Sequence, residues 1–286
     1  MLLTPELLQT VAFIAQRAGA EIMDVYSRPS QPEVISKADD SPLTEADLRA
    51  NTLIVEALQT LESQLPVLSE ESAQVPFDER CRWQRFWLVD PLDGTREFIS
   101  RNGEFTVNIA LIDDGQPVLG VVHVPVSGVT YLGLVGDMGG AWRIDADGSR
   151  HRIQKAALPA VEQWKSCVLR VVASRRHGGA EIEALLTQLS GHFADIEKVS
   201  MGSSLKICLL AEGKADLYPR LAPTSEWDTA AAHAVLKAAG GEIFDQSLEV
   251  LEYNRKAGML NPYFLASADT SAPWISLLHE INSPRQ

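Results

Sequence analysis

Leu7, Leu8, Val11, Ile14, Ala15, Ala18, Ile22 and Val25 recur at helical spacing behind Thr4-Pro5-Glu6. A capping hydroxyl, a proline at the first helical position and an acid in the first turn predict a helix start there, ending near Tyr26 to Pro29. Ser30 to Pro42 is polar and proline-flanked, with Lys37, Asp39 and Asp40, and reads as a loop or loose hairpin. Thr44 to Asp47 opens a second helix, whose apolar face is expected to run through Leu48, Asn51, Ile54, Val55, Leu58 and Leu61. Pro66 to Ser69 is a short apolar strand that runs into Glu70 and Glu71, and Ser72 to Arg82 then reads as an exposed polar loop. Phe86 to Val89 is a second such strand, apolar throughout and suited to burial on both faces, which Pro91 is expected to end.

From Phe105 the pattern turns to alternating β-branched and small residues. Phe105 to Ile112, Pro117 to Val126, Gly128 to Val135 and Gly139 to Ile144 are joined by short Gly and Asp turns, which predicts an antiparallel meander of at least four strands. Lys155 to Trp164 reads as a passage. Beyond it, strands (Val168 to Ala173, Ile196 to Val199, Ala215 to Tyr218, Glu242 to Phe244, Tyr263 to Ser267) alternate with helices (Gly179 to Leu189, Ser203 to Leu210, Glu226 to Ala239, Ala272 to Ile281). The expected halves are therefore an α+β subdomain over 1–160, with two helices on an antiparallel sheet, and an α/β subdomain over 161–286.

Composition narrows the function. The 286 residues are 45% hydrophobic and 22% charged, which is ordinary globular usage and enough chain for a large core. A formal charge of −13 opposes binding to nucleic-acid polymers, and no basic stripe offsets it. A small phosphorylated ligand is different, because local cations can meet its charge. Cys81, Cys167 and Cys208 show neither disulfide nor zinc spacing, and no stretch is long and apolar enough for a membrane span. The expected compartment is the cytoplasm, a reading compatible with peripheral attachment at the inner membrane; oligomeric state leaves no mark in the sequence.

The chemistry gathers at element ends. Asp90 and Asp93 flank Pro91-Leu92 and precede Gly94-Thr95, so two carboxylates can point into one small volume, where a hard cation such as Mg²⁺ offsets their repulsion. Each acid also has a plain explanation: Asp90 and Asp93 as a solvated turn, Glu70 as the start of a loop, Asp47 as the partner of Thr44 in a capping box, Asp228 as an N-terminal helix acid. Asp47 serving both as cap and at the site is a third possibility. None of the six histidines has ligand spacing, and His233 reads as a packed or capping residue.

Asp90-Pro91-Leu92-Asp93-Gly94-Thr95, the preceding Glu70-Glu71, and Trp227-Asp228-x-Ala230-Ala231 with Ala239-Gly240-Gly241 resemble the three signatures of the inositol monophosphatase superfamily of lithium-sensitive, Mg²⁺-dependent phosphatases. Asn102 to Asn108, Gly202 to Lys206 and Ala211 to Arg220 are similar to its CysQ branch, the 3'(2'),5'-bisphosphate nucleotidases. The resemblance implies a layered αβαβα sandwich and two or more Mg²⁺ ions held by Glu70, Asp90, Asp93, Asp228 and the Leu92 carbonyl. It implies that Thr95, with Asp47 or Glu70, orients a metal-activated water that attacks phosphorus directly, and that the Gly94 and Thr95 amides cradle the phosphate. Glu70, Leu92, Asp93, Gly94, Thr95, Ser203, Ser204, Lys206, Arg220 and Asp228 are the implied substrate contacts, with Lys206 and Arg220 matched to a second phosphate and Arg96 and Arg101 as further cations. The implied reaction converts adenosine 3',5'-bisphosphate to AMP and phosphate, serving sulfur metabolism.

Three other readings compete. A phosphatase of the haloacid dehalogenase type requires acids two positions apart, whereas Asp90 and Asp93 are separated by Pro91-Leu92. An inositol or sugar phosphatase of the same superfamily differs in substrate, and a silent metal-dependent nucleotide sensor differs in releasing no phosphate.

Overall fold

The computed structural model describes residues 3–29, 34–36, 42–61, 64–72, 75–173 and 179–282. Lys37, Asp39 and Asp40 of the expected loop lie outside the described residues. In the first half, α1 (Pro5–Tyr26) is capped by Thr4, whose Oγ1 accepts from Leu7 N at 3.2 Å, and a small antiparallel hairpin follows, β1 (Val34–Ser36) with β2 (Pro42–Thr44). Then come α2 (Glu45–Gln59), β3 (Val67–Ser69), α3 (Phe77–Arg80), β4 (Arg85–Asp93), α4 (Thr95–Ile99), β5 (Thr106–Asp113), β6 (Gln116–Val124), β7 (Val129–Leu134), β8 (Gly140–Ile144) and β9 (Arg150–Ile153). After a 3-10 turn at Val161–Ser166, the second half holds β10 (Val168–Ala173), α5 (Ala180–Ser190), β11 (Asp195–Ser200), α6 (Leu205–Ala211), β12 (Leu217–Arg220), α7 (Glu226–Ala238), β13 (Glu242–Asp245), β14 (Phe264–Ser267) and α8 (Ala272–Asn282).

β3 to β9 form one sheet in sequence order, with β3 and β4 parallel and the rest an antiparallel meander. The second sheet runs β11-β10-β12-β14-β13, parallel where β10 meets β11 and β12 and antiparallel around β14. Side-chain alternation assigns the layers. In β4, Trp87 and Val89 join the core under α1 and α2, whereas Phe86 and Leu88 join the opposite core with α6 and α7. That second core continues into the smaller sheet, and a third packs the sheet's far face against α5 and α8. The result is a layered αβαβα sandwich.

α7 can lie directly on the large sheet because the sheet offers glycines beneath it. A Cβ on Gly120 would stand 2.1 Å from the Ala231 carbonyl oxygen, and one on Gly133 would stand 2.5 Å from Val235 Cα. The alanines of α7 complete the close approach, bringing Asp228 at its start toward the tip of β4.

Several sequence expectations are corrected. β4 does not end at Pro91 but continues to Asp93 through a register shift between Asp90 and Asp93. β3 stops at Ser69, opposite Val89, so β4 has a free side beyond that point where a proline displaces no ladder bond. Ser72 to Arg82 is not simply an exposed loop, because it contains α3 and the buried Arg80. Leu48 lies on the outer side of α2, 43% exposed, since the buried face runs through Asp47, Ala50, Ile54 and Leu58. The meander of at least four strands is present, and it ends in one more, β9, whose side chains are mostly exposed.

Candidate active site

Two helix starts and two strand ends bring the acids together. At the start of α2 the capping box is formed: Asp47 Oδ2 accepts from Thr44 N at 2.8 Å and Thr44 Oγ1 at 2.6 Å. Its other oxygen, Oδ1, accepts from Thr95 Oγ1 at 3.2 Å, so one carboxylate both caps and reaches the site. Asp228 repeats the arrangement at α7, where Oδ2 accepts from Ser225 N at 2.9 Å. Parallel pairing of β3 with β4 carries Glu70 alongside Asp90, and Glu70 N donates to Val89 O at 3.1 Å.

The electrostatics identify the shared volume. Asp90 is 1% exposed, and its carboxyl is held well above the ordinary range, first by burial and then by the negative charges of Glu70, Asp93, Asp228 and Asp47. Asp228 borders the cleft and is raised well above its ordinary value by the same causes, with Asp93 the largest charge contribution and Glu70 a further one. Burial also raises Asp47, with Glu70 adding to it. Among the described residues no three such groups close into a ready metal cage. Asp47, Glu70, Asp90, Asp93 and Asp228 are nevertheless neighbours, since charges from this group raise the pKa of Asp47, Asp90 and Asp228. The donors there are carboxylates plus the Leu92 carbonyl, whose oxygen lies 3.4 Å from Thr95 Oγ1. An all-oxygen set of this kind fits a hard divalent cation such as magnesium.

A cleft of about 370 Å³ is lined by Asp93, Gly94, Ser203, Ser204, Lys206, Arg220 and Asp228. Gly94 sits at φ 94°, and a side chain there would stand 2.4 Å from Ser203 Oγ, so glycine is required at this turn. Ser203 Oγ donates within reach of Glu104 O at 2.7 Å and Asp93 O at 3.0 Å. Asp93 Oδ2 accepts from Ser204 N at 2.7 Å and Ser204 Oγ at 2.8 Å. Both serines line the cleft, yet their hydroxyls are engaged with the Asp93 turn.

Lys206 is 9% exposed and lies with Nζ 5.9 Å from the centre of the Tyr218 ring, donating to Ser203 O at 3.2 Å. Burial lowers its pKa, and Asp93 works against that shift. Arg220 faces the same cleft while its guanidinium donates to Ala222 O and Pro223 O. Arg96 also lines it, but Arg101 is turned to the Arg28 carbonyl at 2.8 Å and to the Tyr26 ring. His233 is packed, as expected, between Tyr253 Oη at 2.9 Å and Glu242, away from this chemistry.

The model of the inositol monophosphatase family matches residues 5–280. The chain belongs to the inositol monophosphatase family. It is 48% identical over 262 residues to the 3'(2'),5'-bisphosphate nucleotidase CysQ of Escherichia coli, covering 91% of this chain and 99% of that protein. Identity to the protein of the same name from Aggregatibacter actinomycetemcomitans is 37% over 278 residues, covering 97% and 98%. Among solved structures, CysQ from Bacteroides thetaiotaomicron matches with a TM-score of 0.77 at 40% identity, covering 92% of this chain and 97% of that one. The extragenic suppressor protein suhB from Bartonella henselae matches with a TM-score of 0.73 at 22% identity, covering 98% and 100%, a likeness of fold.

Within this inositol monophosphatase frame the site has supports that sequence reasoning passed over. Asn108 Nδ2 donates to Ser204 Oγ at 2.7 Å, and Thr106 Oγ1 lies 3.4 Å from Asp93 Oδ2, so two β5 side chains brace the Asp93 to Ser204 contact. Both residues are buried and polar in an otherwise apolar strand, which is the sequence signal that could have found them. Met201, Tyr218 and Phe264 wall the cleft and carry no comparable signal.

Proposed function

We infer that the chain is a 3'(2'),5'-bisphosphate nucleotidase that converts adenosine 3',5'-bisphosphate to AMP and phosphate in the cytoplasm. The observation that carries this reading is a single cleft whose wall holds two members of the acid cluster, Asp93 and Asp228, together with the cations Lys206 and Arg220. Such a cleft suits a ligand with two separated phosphates, one at the acids and one at the cations. The relatives named for this activity support it.

Glu70, Asp90, Asp93, Asp228 and the Leu92 carbonyl would hold magnesium. When bound, magnesium supplies Lewis acidity toward the phosphate and lowers the pKa of water. Gly94 and Thr95 present backbone amides to the phosphate at a turn that admits no side chain. Asp47 Oδ1 takes the Thr95 hydroxyl proton in a hydrogen bond, which leaves the Thr95 Oγ lone pairs to accept from the attacking water and aim it at phosphorus. Lys206 and Arg220 place the distal phosphate and so hold the scissile ester over the acids.

The test is phosphate release from adenosine 3',5'-bisphosphate, inositol monophosphate and a sugar phosphate, with Mg²⁺ and with or without lithium. Turnover favouring the bisphosphate nucleotide is expected. Lys206→Ala should raise KM for the bisphosphate by about tenfold while changing that for a monophosphate little. A preference for inositol monophosphate would reassign the substrate, and binding with no phosphate release would make the chain a sensor.

A further inference from the structure

Arg80, at the end of α3, is 2% exposed. Its guanidinium donates to Asn254 Oδ1, to Lys256 O at 3.1 Å and to Ala257 O at 2.6 Å, while Asn254 Nδ2 returns a bond to Arg80 O at 2.7 Å. The Phe77 ring lies 5.0 Å away. These partners are all neutral. Burying an arginine is costly, so this set of contacts calls for a reason beyond filling space.

The segment that Arg80 grips is wound around the first turn of α7. Asn254 N donates to Glu226 Oε2 at 2.7 Å, and Lys256 Nζ to Glu226 Oε1 at 2.5 Å. Glu226 N in turn donates to Met259 O at 2.8 Å, and Asn261 Nδ2 to Ser225 O at 2.8 Å. Glu226 is wholly buried and opens the helix turn that presents Asp228. On the other side, Arg80 belongs to the same connection as Glu70, and Glu70, Phe77, Arg80, Trp227 and Met259 line one cavity of about 300 Å³.

A polar strut therefore runs from Arg80 through the segment 254–261 to the start of α7, and Arg80 shares the wall of one cavity with Glu70. We propose that Arg80 is a positioning residue that sets the separation of Glu70 and Asp228, and through it the affinity of the acid cluster for Mg²⁺. The inference rests on the metal-dependent reading of the site given above. It touches neither substrate nor the reacting atoms.

The experiment titrates Mg²⁺ calorimetrically into substrate-free wild type, Arg80→Met and Arg80→Lys, with melting temperatures recorded without metal. Loss of a supporting group at a metal site costs roughly 10- to 100-fold in affinity. Arg80→Met is expected to fall in that range, Arg80→Lys to lose less, and kcat to recover toward wild type when Mg²⁺ is saturating. A folded Arg80→Met protein with the wild-type Mg²⁺ midpoint overturns the proposal, even if it melts earlier. If Arg80→Met does not fold, Arg80→Lys decides: a weakened midpoint supports the strut, an unchanged one overturns it. Absence of Mg²⁺ binding by wild type would remove the metal-dependent reading along with the strut, an outcome visible before any variant is compared.

Discussion

Asp216, just before β12, and Asp90, in β4, are both buried carboxylates, and they keep opposite company. Asp216 is held by Arg170, whose NH2 group donates to Oδ1 at 2.6 Å and whose Nε and backbone N reach Oδ2 at 3.1 and 2.7 Å. Asp90 accepts from Leu92 N at 3.0 Å and is otherwise surrounded by the fields of four more acids. Away from the cleft, buried carboxylates among the described residues meet cations, as again where Lys256 meets Glu226. At the cleft, acids accumulate against their own repulsion. Uncompensated burial is expensive and persists where another requirement holds it in place, which makes the acid cluster, not the ion pairs, the functional feature.

The largest effect should come from neutralising a clustered acid. Asp93→Asn keeps an oxygen for the Ser204 bonds and removes a like charge, so melting without metal should stay at or above the wild-type temperature. Turnover of the bisphosphate nucleotide should fall roughly 10³-fold, comparable to removing a group that stabilises developing charge. Activity within tenfold of wild type, measured by phosphate release, would break the contrast between the two kinds of buried acid.

Neutralising the paired acid should do the reverse. Asp216→Ala leaves the Arg170 cation and the Arg170 backbone N without their acceptor. The expected cost is about 2–3 kcal/mol, below the full penalty for breaking a buried pair because the Arg170 side chain keeps 30% of its exposure. Denaturant melts would report it, with kcat of the folded fraction unchanged.

The same contrast explains what could be read from the residues and what could not. Helix α1, both capping boxes and the buried strand before Asp90 follow from local rules, because caps and apolar periodicity are written within a few positions. The acids were visible as candidates, but Asp47 and Asp228 each have a capping role that accounts for them fully. Only the fold shows that a capping box occupies one oxygen and leaves the other for a neighbour. That β4 continues through Pro91 is not legible in its own residues, because the proline's tolerance depends on where β3 stops, a fact about pairing and not about β4. β9 was missed because Arg150, His151 and Arg152 face solvent on an edge strand, where no apolar alternation is required. Arg80 lies in the stretch that reads as an exposed polar loop, because its hydrogen-bond partners are backbone carbonyls and an asparagine far along the chain.

His123 gives the smallest and most graded test of how this core treats charge. It is 5% exposed, packs over Gly19 of α1, and has Thr130 Oγ1 at 2.9 Å from Nδ1 and the Val129 backbone as polar contacts, which do not offset its burial. Burial therefore pushes its pKa down, from an ordinary 6.5 to about 4. In the unfolded chain the ring takes up a proton as pH falls through 6.5, while the folded protein refuses it until about 4. The unfolded state thus binds more protons across that window, and stability is present above it and lost on acidification. Between pH 6.5 and 5.5 this one group should remove about 1 kcal/mol. Urea melts of wild type and His123→Gln across that range would isolate it, since the glutamine variant lacks the titrating ring and should show a correspondingly shallower pH dependence. Equal slopes for the two proteins would mean that His123 is charged in the folded core after all, and that burial outside the cleft does not demand neutrality or a partner.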